Sequence, residues 1–353
     1  MRPAFHPRLI NDAYADPGLF VPFHFERRAL LFDLGDPAPL TPREILLVTH
    51  AFVSHAHLDH FIGFDTVLRL LLGRDRTFHL YGPPGFFGRV EGKLAGYTWN
   101  LVETYANELR LAVTEVRPAE LVTRTYTSRG RFRPEGPDRR GPFDGVLLEE
   151  PRFRVHAAHL DHRIPCLGFA LAERFHVNID KAALGELGLP VGPWIDRFKA
   201  ALYEGRDPGS PFEATWGEDE GVTRSKRFEL GRLAGKIARI TPGKRIAYVT
   251  DVAATPENNE RIEALARDAD HLFIEAAFLS GEEVLAAEKC HLTAEQAGAL
   301  AGRAGVRTFT LFHFSPRYRG REAEFQEEAS RAYRREVRRP WPIADEMTST
   351  MAR

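Results

Sequence analysis

Residues 53–60 read Val-Ser-His-Ala-His-Leu-Asp-His and directly follow an apolar run, so the segment predicts a strand that ends in potential metal ligands. In an extended segment His55 and His57 project to the same side, and a helix starting after them would turn Asp59 and His60 back towards the same point. Neutral imidazoles with one carboxylate oxygen suit zinc. The spacing offers two half-sites around one point, which favours a centre of two metal ions.

The composition is that of an ordinary globular chain. Its 353 residues are 43% hydrophobic and 27% charged, which excludes disordered, collagen-like and coiled-coil proteins. The net charge of −1 means that any nucleic-acid-binding surface would have to be local. Two cysteines, Cys166 and Cys290, cannot form a disulfide framework. With no apolar leader segment and no apolar run of about 18 residues, we expect a cytoplasmic protein without membrane association.

Strand and helix patterns alternate along most of the chain, which predicts a layered α/β fold. Short apolar runs predict strands over 28–33, 78–81, 153–158, 245–250, 271–275 and 308–312. Helical periodicity predicts helices over 64–72, 258–267, 293–304 and 321–338. The segment 124–144 is rich in Arg, Gly and Pro, and we expect a solvated loop there.

The motif His-x-His-x-Asp-His after a strand is the signature of the metallo-β-lactamase fold, and the chain resembles its ribonuclease Z (ElaC-type zinc phosphodiesterase) branch from about Leu30 to Tyr318. The motifs that carry the resemblance are Asp33–Gly35, Tyr81–Gly85, 161–169, Tyr248–Asp251, Cys290–Thr293 and Phe312–Tyr318. The resemblance implies a four-layer αββα sandwich of the α/β class. It also implies a single domain over 1–353 with an inserted, exosite-like arm at about 173–242.

The resemblance further implies two Zn²⁺ ions, with Mn²⁺ as a substitute, and a set of ligands. His55, His57 and His162 would hold one ion, Asp59, His60 and His313 the other, and Asp251 would bridge them. His162, Asp251 and His313 each lie beside an apolar run, where strands deliver ligands to a sheet edge. Taken alone, Asp251 is better interpreted as a turn or N-cap residue, and His313 as a core or surface histidine. Their joint order and context favour both as ligands.

Two catalytic roles also come from the resemblance, and the position of Arg317 after the last candidate ligand indicates a third role. Asp59 would orient the attacking hydroxide, and His291 would protonate the leaving oxygen as a general acid. Arg317 would contact a substrate phosphate, although a structural ion pair is an equal interpretation. His156 and His159 flank His162 and remain alternatives to it as ligands, since only the glycine spacing favours His162.

The implied activity is that of a metal-dependent phosphodiesterase, an endonuclease that cleaves the 3′ trailer of precursor tRNA by a zinc-bound hydroxide, and relatives of this kind form homodimers. The predicted arm contains Gly192–Pro193 and a basic stretch at 224–245, which is interpreted either as an RNA contact or as a solvated face. Leu58 replaces the family's small glycine, and its glycine-rich N-terminal turn is not recognisable in 8–23. These departures leave an alternative, a phosphodiesterase acting on cyclic nucleotides or other small phosphodiesters.

Overall fold

The computed structural model describes residues 5–24, 26–219 and 222–337. The chain divides into two compact units. The larger unit comprises 5–147, 155–171 and the residues from 245 onwards, and the smaller unit comprises 148–154 and 172–244. None of the described helices is both long and apolar enough to span a membrane.

An eight-stranded sheet occupies the first part of the larger unit. Its strands are β1 Arg8–Leu9, β2 Leu19–Pro22, β3 Ala29–Phe32, β4 Val48–Phe52, β5 Arg76–Gly82, β6 Leu109–Val116, β7 Glu120–Thr127 and β8 Arg139–Pro142, and they are paired in chain order. Neighbouring strands from β3 to β6 are parallel, and the outer pairs are antiparallel. The helices in this part are α1 Pro42–Ile45, α2 Leu58–Phe61, α3 Phe64–Leu71 and α4 Phe86–Ala95.

The helix predicted over 64–72 is confirmed as α3. Its buried face consists of Phe64, Val67, Leu68 and Leu71, at the i, i+3, i+4, i+7 spacing of an amphipathic helix. These side chains share a hydrophobic core with one face of β3 to β6 and with α4. The prediction of a loop over 124–144 is wrong in part, because this segment contains the end of β7 and all of β8. Polar and arginine side chains at this half-exposed end of the sheet hide the alternation that would have revealed the strands.

The remaining elements follow in chain order. The strands are β9 Val146–Glu149, β10 Phe153–Asp161, β11 Pro165–Glu173, β12 Phe175–Ile179, β13 Pro211–Asp219, β14 Val222–Glu229, β15 Ala238–Pro242, β16 Arg245–Val249, β17 His271–Glu275 and β18 Phe309–Phe312. The helices are α5 Lys181–Glu186, α6 Trp194–Tyr203, α7 Leu230–Ile237, α8 Pro256–Ala266, α9 Glu283–Lys289, α10 Ala294–Arg303 and α11 Glu322–Val337. A second sheet has the strand order β18-β17-β16-β11-β10-β9, in which β16, β17 and β18 are parallel.

Alternating side chains in β16 separate two layers of core. Ala247 and Val249 face outward into a core shared with α8, α10 and α11. Tyr248 points the other way and packs against Phe32 of β3, at 6.1 Å between ring centroids. Phe169 of β11 also packs against Phe32, at 5.6 Å. The two sheets therefore face each other across an aromatic core with helices on their outer faces, which is the expected four-layer αββα sandwich of the α/β class.

The smaller unit has a core of its own. Two antiparallel ribbons, β12–β15 and β13–β14, accompany α5, α6 and α7. Trp194, Phe198 and Leu233 are fully buried in this core, together with Phe212 of β13. The unit includes the segment predicted as an arm, and the interpretation of that segment as an exosite stays a prediction.

Candidate metal centre

The carboxyl ends of parallel strands bring the candidate ligands to one edge of the larger unit. The segment 53–60 follows β4, His162 lies between β10 and β11, Asp251 follows β16 and His313 follows β18. The motif helix α2 is fixed at its far end by the turn after β3. Gly63 approaches this turn so closely that a Cβ would lie 2.2 Å from the Gly35 carbonyl oxygen. Only glycine permits this approach, so α2 is held against the turn.

The seven predicted ligands lie in two clusters. Within each cluster the possible ligand atoms all lie within 4.8 Å of one another: His55, His57, His162 and Asp251 form one, and Asp59, His60 and His313 form the other. This is the same division that the resemblance implies. The assignment of each residue as a ligand remains a prediction.

Asp251 connects the two clusters. Its Oδ1 lies 2.8 Å from Nε2 of His313 and 3.3 Å from Nε2 of His60. Its Oδ2 lies 3.6 Å from Nε2 of His162 and 3.7 Å from Nε2 of His55. Burial opposes ionisation of this carboxyl, but His313 and His60 hold its pKa well below the ordinary value. One ionised carboxylate thus presents one oxygen to each cluster, as a bridging ligand requires.

Buried, unpartnered nitrogens show that the cluster fits divalent metal ions. Nε2 of His55, His60 and His313 is buried in each case and makes no well-aligned hydrogen bond, and the 2.8 Å approach of His313 to Asp251 is a contact of charges. A buried polar atom without a partner costs about 1–3 kcal/mol, so three together need another use. Burial, followed by the nearby His60, lowers the pKa of His55 to about 2, which keeps that imidazole neutral. Burial opposes protonation of His60 and His313, but the Asp251 carboxylate raises the pKa of both, so metal ions that bind there would displace protons. Imidazole nitrogens directed at shared space beside a carboxylate are the donors that such ions take.

Asp33 holds the candidate ligand His60 in position. It lies fully buried at the end of β3 with a φ of 59°, and its Oδ2 is 2.9 Å from Nδ1 of His60. Because Asp33 accepts from Nδ1 of His60, Nε2 is the nitrogen of that ring that would bind a metal ion. Asp33 also accepts from the Ser54 amide at 2.7 Å and from the Tyr248 hydroxyl at 3.0 Å. The Cys290 carbonyl orients His162 in the same way, accepting from Nδ1 at 2.8 Å.

We expect Asp33→Asn to lower metal affinity by about 10–100-fold, because the amide lacks the charge that holds the His60 tautomer. The measurement is the apparent dissociation constant for Zn²⁺ from competition with a chelator. Asp36→Asn is the matched control, because Asp36 lies on the same turn with an exposed side chain that accepts from the Ala38 amide. Equal affinities for the two variants would contradict the positioning role of Asp33.

His291 and Glu275 form a pair beside the clusters. Nδ1 of His291 lies 3.0 Å from Oε2 of Glu275, which is fully buried at the end of β17. Burial disfavours the imidazolium, but the Glu275 carboxylate outweighs it and raises the pKa of His291 to about 9. The ring centroid of His291 is 5.0 Å from that of His162 and 5.5 Å from that of His313. A protonated imidazole therefore stands among the candidate ligands, with Nε2 as its second N–H donor.

An open cavity of about 600 Å³ gives access to these groups. Its walls include His57, Asp59 and His291, and the predicted phosphate contact Arg317 also lines it. Nη1 of Arg317 donates to Oε1 of Glu282 at 2.9 Å. The role of Arg317 towards substrate stays a prediction, and its guanidinium is already paired in this structure.

The structure places two of the histidines outside the ligand clusters. It also adds two carboxylates, Asp33 and Glu275, to the site. His156 and His159 belong to none of the ligand groups found among the described residues. The sequence motifs do not predict a role for Asp33 or Glu275 in the site, although each lies at the end of a buried strand at the edge that carries the candidate ligands. That shared position is the signal that marks them.

Comparisons with known proteins identify the family of this chain. A family model described as a Beta-lactamase superfamily domain matches residues 209–314. Ribonuclease Z of Deinococcus radiodurans is 34% identical over 305 residues, covering 84% of this chain and 85% of the relative. The chain belongs to the ribonuclease Z family. The family resemblance predicted from the motifs is therefore confirmed, and with it a metal-dependent hydrolase of the metallo-β-lactamase fold.

One further relative and one solved structure are similar to this chain. Ribonuclease Z of Haloferax volcanii is 29% identical and covers 86% of this chain and 81% of the relative. Among solved structures, the short form of human tRNase Z superposes with a TM-score of 0.51 at 17% identity, over 89% of this chain and 93% of that chain. This structural likeness supports the fold.

Proposed function

We propose that this chain is an endoribonuclease that removes the 3′ trailer of precursor tRNA by hydrolysing one phosphodiester bond. The observation that carries the proposal is the carboxylate of Asp251 shared between two ligand clusters, with the protonated His291 beside it. This arrangement occurs in a chain that is 34% identical to a ribonuclease Z. Phosphodiester hydrolysis needs charge stabilisation on the phosphoryl oxygens and a proton for the leaving oxygen.

The proposal includes two zinc ions, with manganese as a substitute. His55, His57 and His162 would hold one ion, Asp59, His60 and His313 the other, and Asp251 would contact both. Bound divalent ions supply a water of lowered pKa and stabilise negative charge in the transition state. The alternative, a phosphodiesterase acting on cyclic nucleotides or other small phosphodiesters, is not favoured by the similar proteins, which are ribonucleases Z.

The chain's own groups account for the proton transfers. Asp59 is partly exposed in the cavity, and its carboxylate would accept a hydrogen bond from the attacking water and orient it. As the water oxygen bonds to phosphorus, the water would pass a proton to the Asp59 carboxylate. The bond to the leaving oxygen breaks, and Nε2 of His291 donates its proton to that oxygen. Glu275 stabilises the imidazolium before transfer and holds the ring through Nδ1.

The direct test offers the protein a precursor tRNA with a 3′ trailer, bis(p-nitrophenyl) phosphate and cyclic nucleotides, each with Zn²⁺ or Mn²⁺. We expect one cut that releases the trailer, and its loss after the metal is removed with a chelator. Absence of precursor cleavage, together with turnover of a cyclic nucleotide, would overturn the proposal in favour of the alternative.

We further propose that the smaller unit is an arm that binds RNA. On β14, Arg224, Lys226 and Arg227 are exposed, and Trp216 of β13 is the cross-strand partner of Arg224. Exposed cations on a narrow ribbon suit the phosphate backbone, and a neighbouring indole suits base stacking.

Replacing Arg224, Lys226 and Arg227 together with Ala is expected to raise KM for precursor tRNA by about tenfold or more and to make its dependence on salt shallower. Hydrolysis of bis(p-nitrophenyl) phosphate should not change, because that substrate is too small to use the ribbon. The control replaces three exposed arginines of the larger unit, Arg110, Arg140 and Arg307. An equal rise in KM in both triple variants would contradict a specific role for the ribbon.

The remaining parts of the proposal are a cytoplasmic location and a homodimer. Both rest on the family and on the sequence. Light scattering of the purified protein tests the dimer, for which we expect twice the chain mass of 39.9 kDa.

A further inference from the structure

Besides the His291 imidazole, which is paired with Glu275, two cationic side chains line the cavity over the metal centre, and they differ in how they are paired. The guanidinium of Arg317 donates to Glu282 at 2.9 Å, so its charge is balanced within the chain. Lys289 is exposed, and among the described residues no carboxylate lies within ion-pair distance of its ammonium. Lys289 is therefore the cation of this cavity that is left for a ligand.

The backbone holds Lys289 close to the acid His291. Lys289 is the last residue of α9, and Cys290 follows in the left-handed conformation with a φ of 61°. The His291 amide donates back to the Ala286 carbonyl at 2.9 Å, which closes the turn. The Cys290 carbonyl also accepts from Nδ1 of the candidate ligand His162 at 2.8 Å. The base of the lysine is thus fixed, while its long side chain remains free to reach towards the mouth of the cavity.

The charge around the cavity decides what Lys289 would bind. Asp16 and Asp59 line the same cavity and repel phosphate, except where metal ions offset their charge. A nucleic-acid substrate carries a phosphate on each side of the scissile one. An ammonium two residues from the group that protonates the leaving oxygen is placed for the phosphate on the leaving side.

We propose that Lys289 binds the phosphate adjacent to the scissile phosphodiester on the leaving-group side. This inference rests on the proposed function, because only an oligonucleotide has such a phosphate. The lysine would hold the leaving strand in line with His291 through a charge-assisted contact with the non-bridging oxygens. It would act through substrate binding and take no part in proton transfer.

A purely structural interpretation of Lys289 predicts a different result. A cation in the last turn of a helix is common because it complements the helix dipole. In that case Lys289→Ala would affect stability alone, or would displace His291 and lower kcat on every substrate. The readout that separates the interpretations is KM against kcat on substrates with and without a flanking phosphate.

The experiment compares wild-type protein, Lys289→Ala and Lys289→Arg, each loaded with Zn²⁺. The substrates are a precursor RNA, the same RNA with an uncharged methylphosphonate on the leaving side or on the other side of the scissile bond, and bis(p-nitrophenyl) phosphate. On unmodified RNA we expect Lys289→Ala to raise KM about 5–20-fold, with kcat within threefold, and Lys289→Arg to restore most of the loss. We expect turnover of bis(p-nitrophenyl) phosphate to stay constant.

The modified RNAs test which phosphate is bound. The leaving-side methylphosphonate should raise KM of the wild-type protein by a similar factor. It should also abolish the difference in KM between the wild-type protein and Lys289→Ala. The methylphosphonate on the other side should leave that difference intact.

Three outcomes would overturn the inference while the proposed function stands. They are an unchanged KM for Lys289→Ala, a fall in kcat on both RNA and bis(p-nitrophenyl) phosphate, and a full effect of Lys289→Ala on the leaving-side methylphosphonate. Failure of the wild-type protein to cleave the unmodified precursor would overturn the proposed function and this inference with it.

Discussion

His291→Asn is expected to lower kcat on precursor tRNA by about 10²–10⁴-fold, the usual contribution of a general acid. The same variant should hydrolyse bis(p-nitrophenyl) phosphate within a few-fold of the wild-type rate, because p-nitrophenolate leaves without a proton. Steady-state kinetics on both substrates measure the contrast. An equal loss on the two substrates would mean that His291 binds a metal ion, a role its proximity to Asp251 and His313 also permits.

The pH dependence of kcat should follow from the pair of His291 and Glu275. Because the pKa of His291 is raised to about 9, its proton is present at neutral pH and is lost only as the pH rises through about 9. Glu275→Gln removes the carboxylate that causes the rise, so the alkaline limb of kcat on RNA should move to lower pH. The alkaline limb for bis(p-nitrophenyl) phosphate should not move between the two proteins. An unmoved limb on RNA would assign the titration to another group.

The second large effect is expected at Asp251. Asp251→Asn should lose at least one bound metal ion per chain and reduce RNA cleavage by 10³-fold or more, because an amide replaces the carboxylate that faces both clusters. Elemental analysis of the dialysed protein gives the metal content, and circular dichroism checks that the variant is folded.

Asp161→Ala is the matched control for this substitution. Its exposed side chain lies beside the candidate ligand His162 and outside the ligand groups. We expect full metal content and activity for the control. Full metal content in Asp251→Asn would show that Asp251 is not a shared ligand.

Sequence patterns predict those helices and strands that bury one regularly spaced apolar face. The helix over 64–72 and the strand over 271–275 were predictable because apolar side chains recur at the spacing of one structure. The segment 124–144 was not, because its strand residues carry polar side chains on both faces. Hydrogen bonds to neighbouring strands keep such residues in a sheet, and their own sequence does not predict those bonds.

The residues of the candidate site also fall into those that local sequence predicts and those that it does not. His55, His57, Asp59 and His60 lie within six residues, so local spacing alone predicts that they converge. The supporting carboxylates lie further away in the chain. Asp33 is 27 residues from His60, and Glu275 is 16 residues from His291.

The sequence by itself therefore determined the family, the αββα fold class and the chemistry of the candidate ligands, since these depend on short motifs and on local periodicity. Only the tertiary structure decided how the charges are paired. It joins Arg317 to Glu282 across 35 residues and leaves Lys289 exposed beside His291. Pairing depends on which side chains the folded chain brings within a few ångströms of each other, and separation along the sequence does not record that distance.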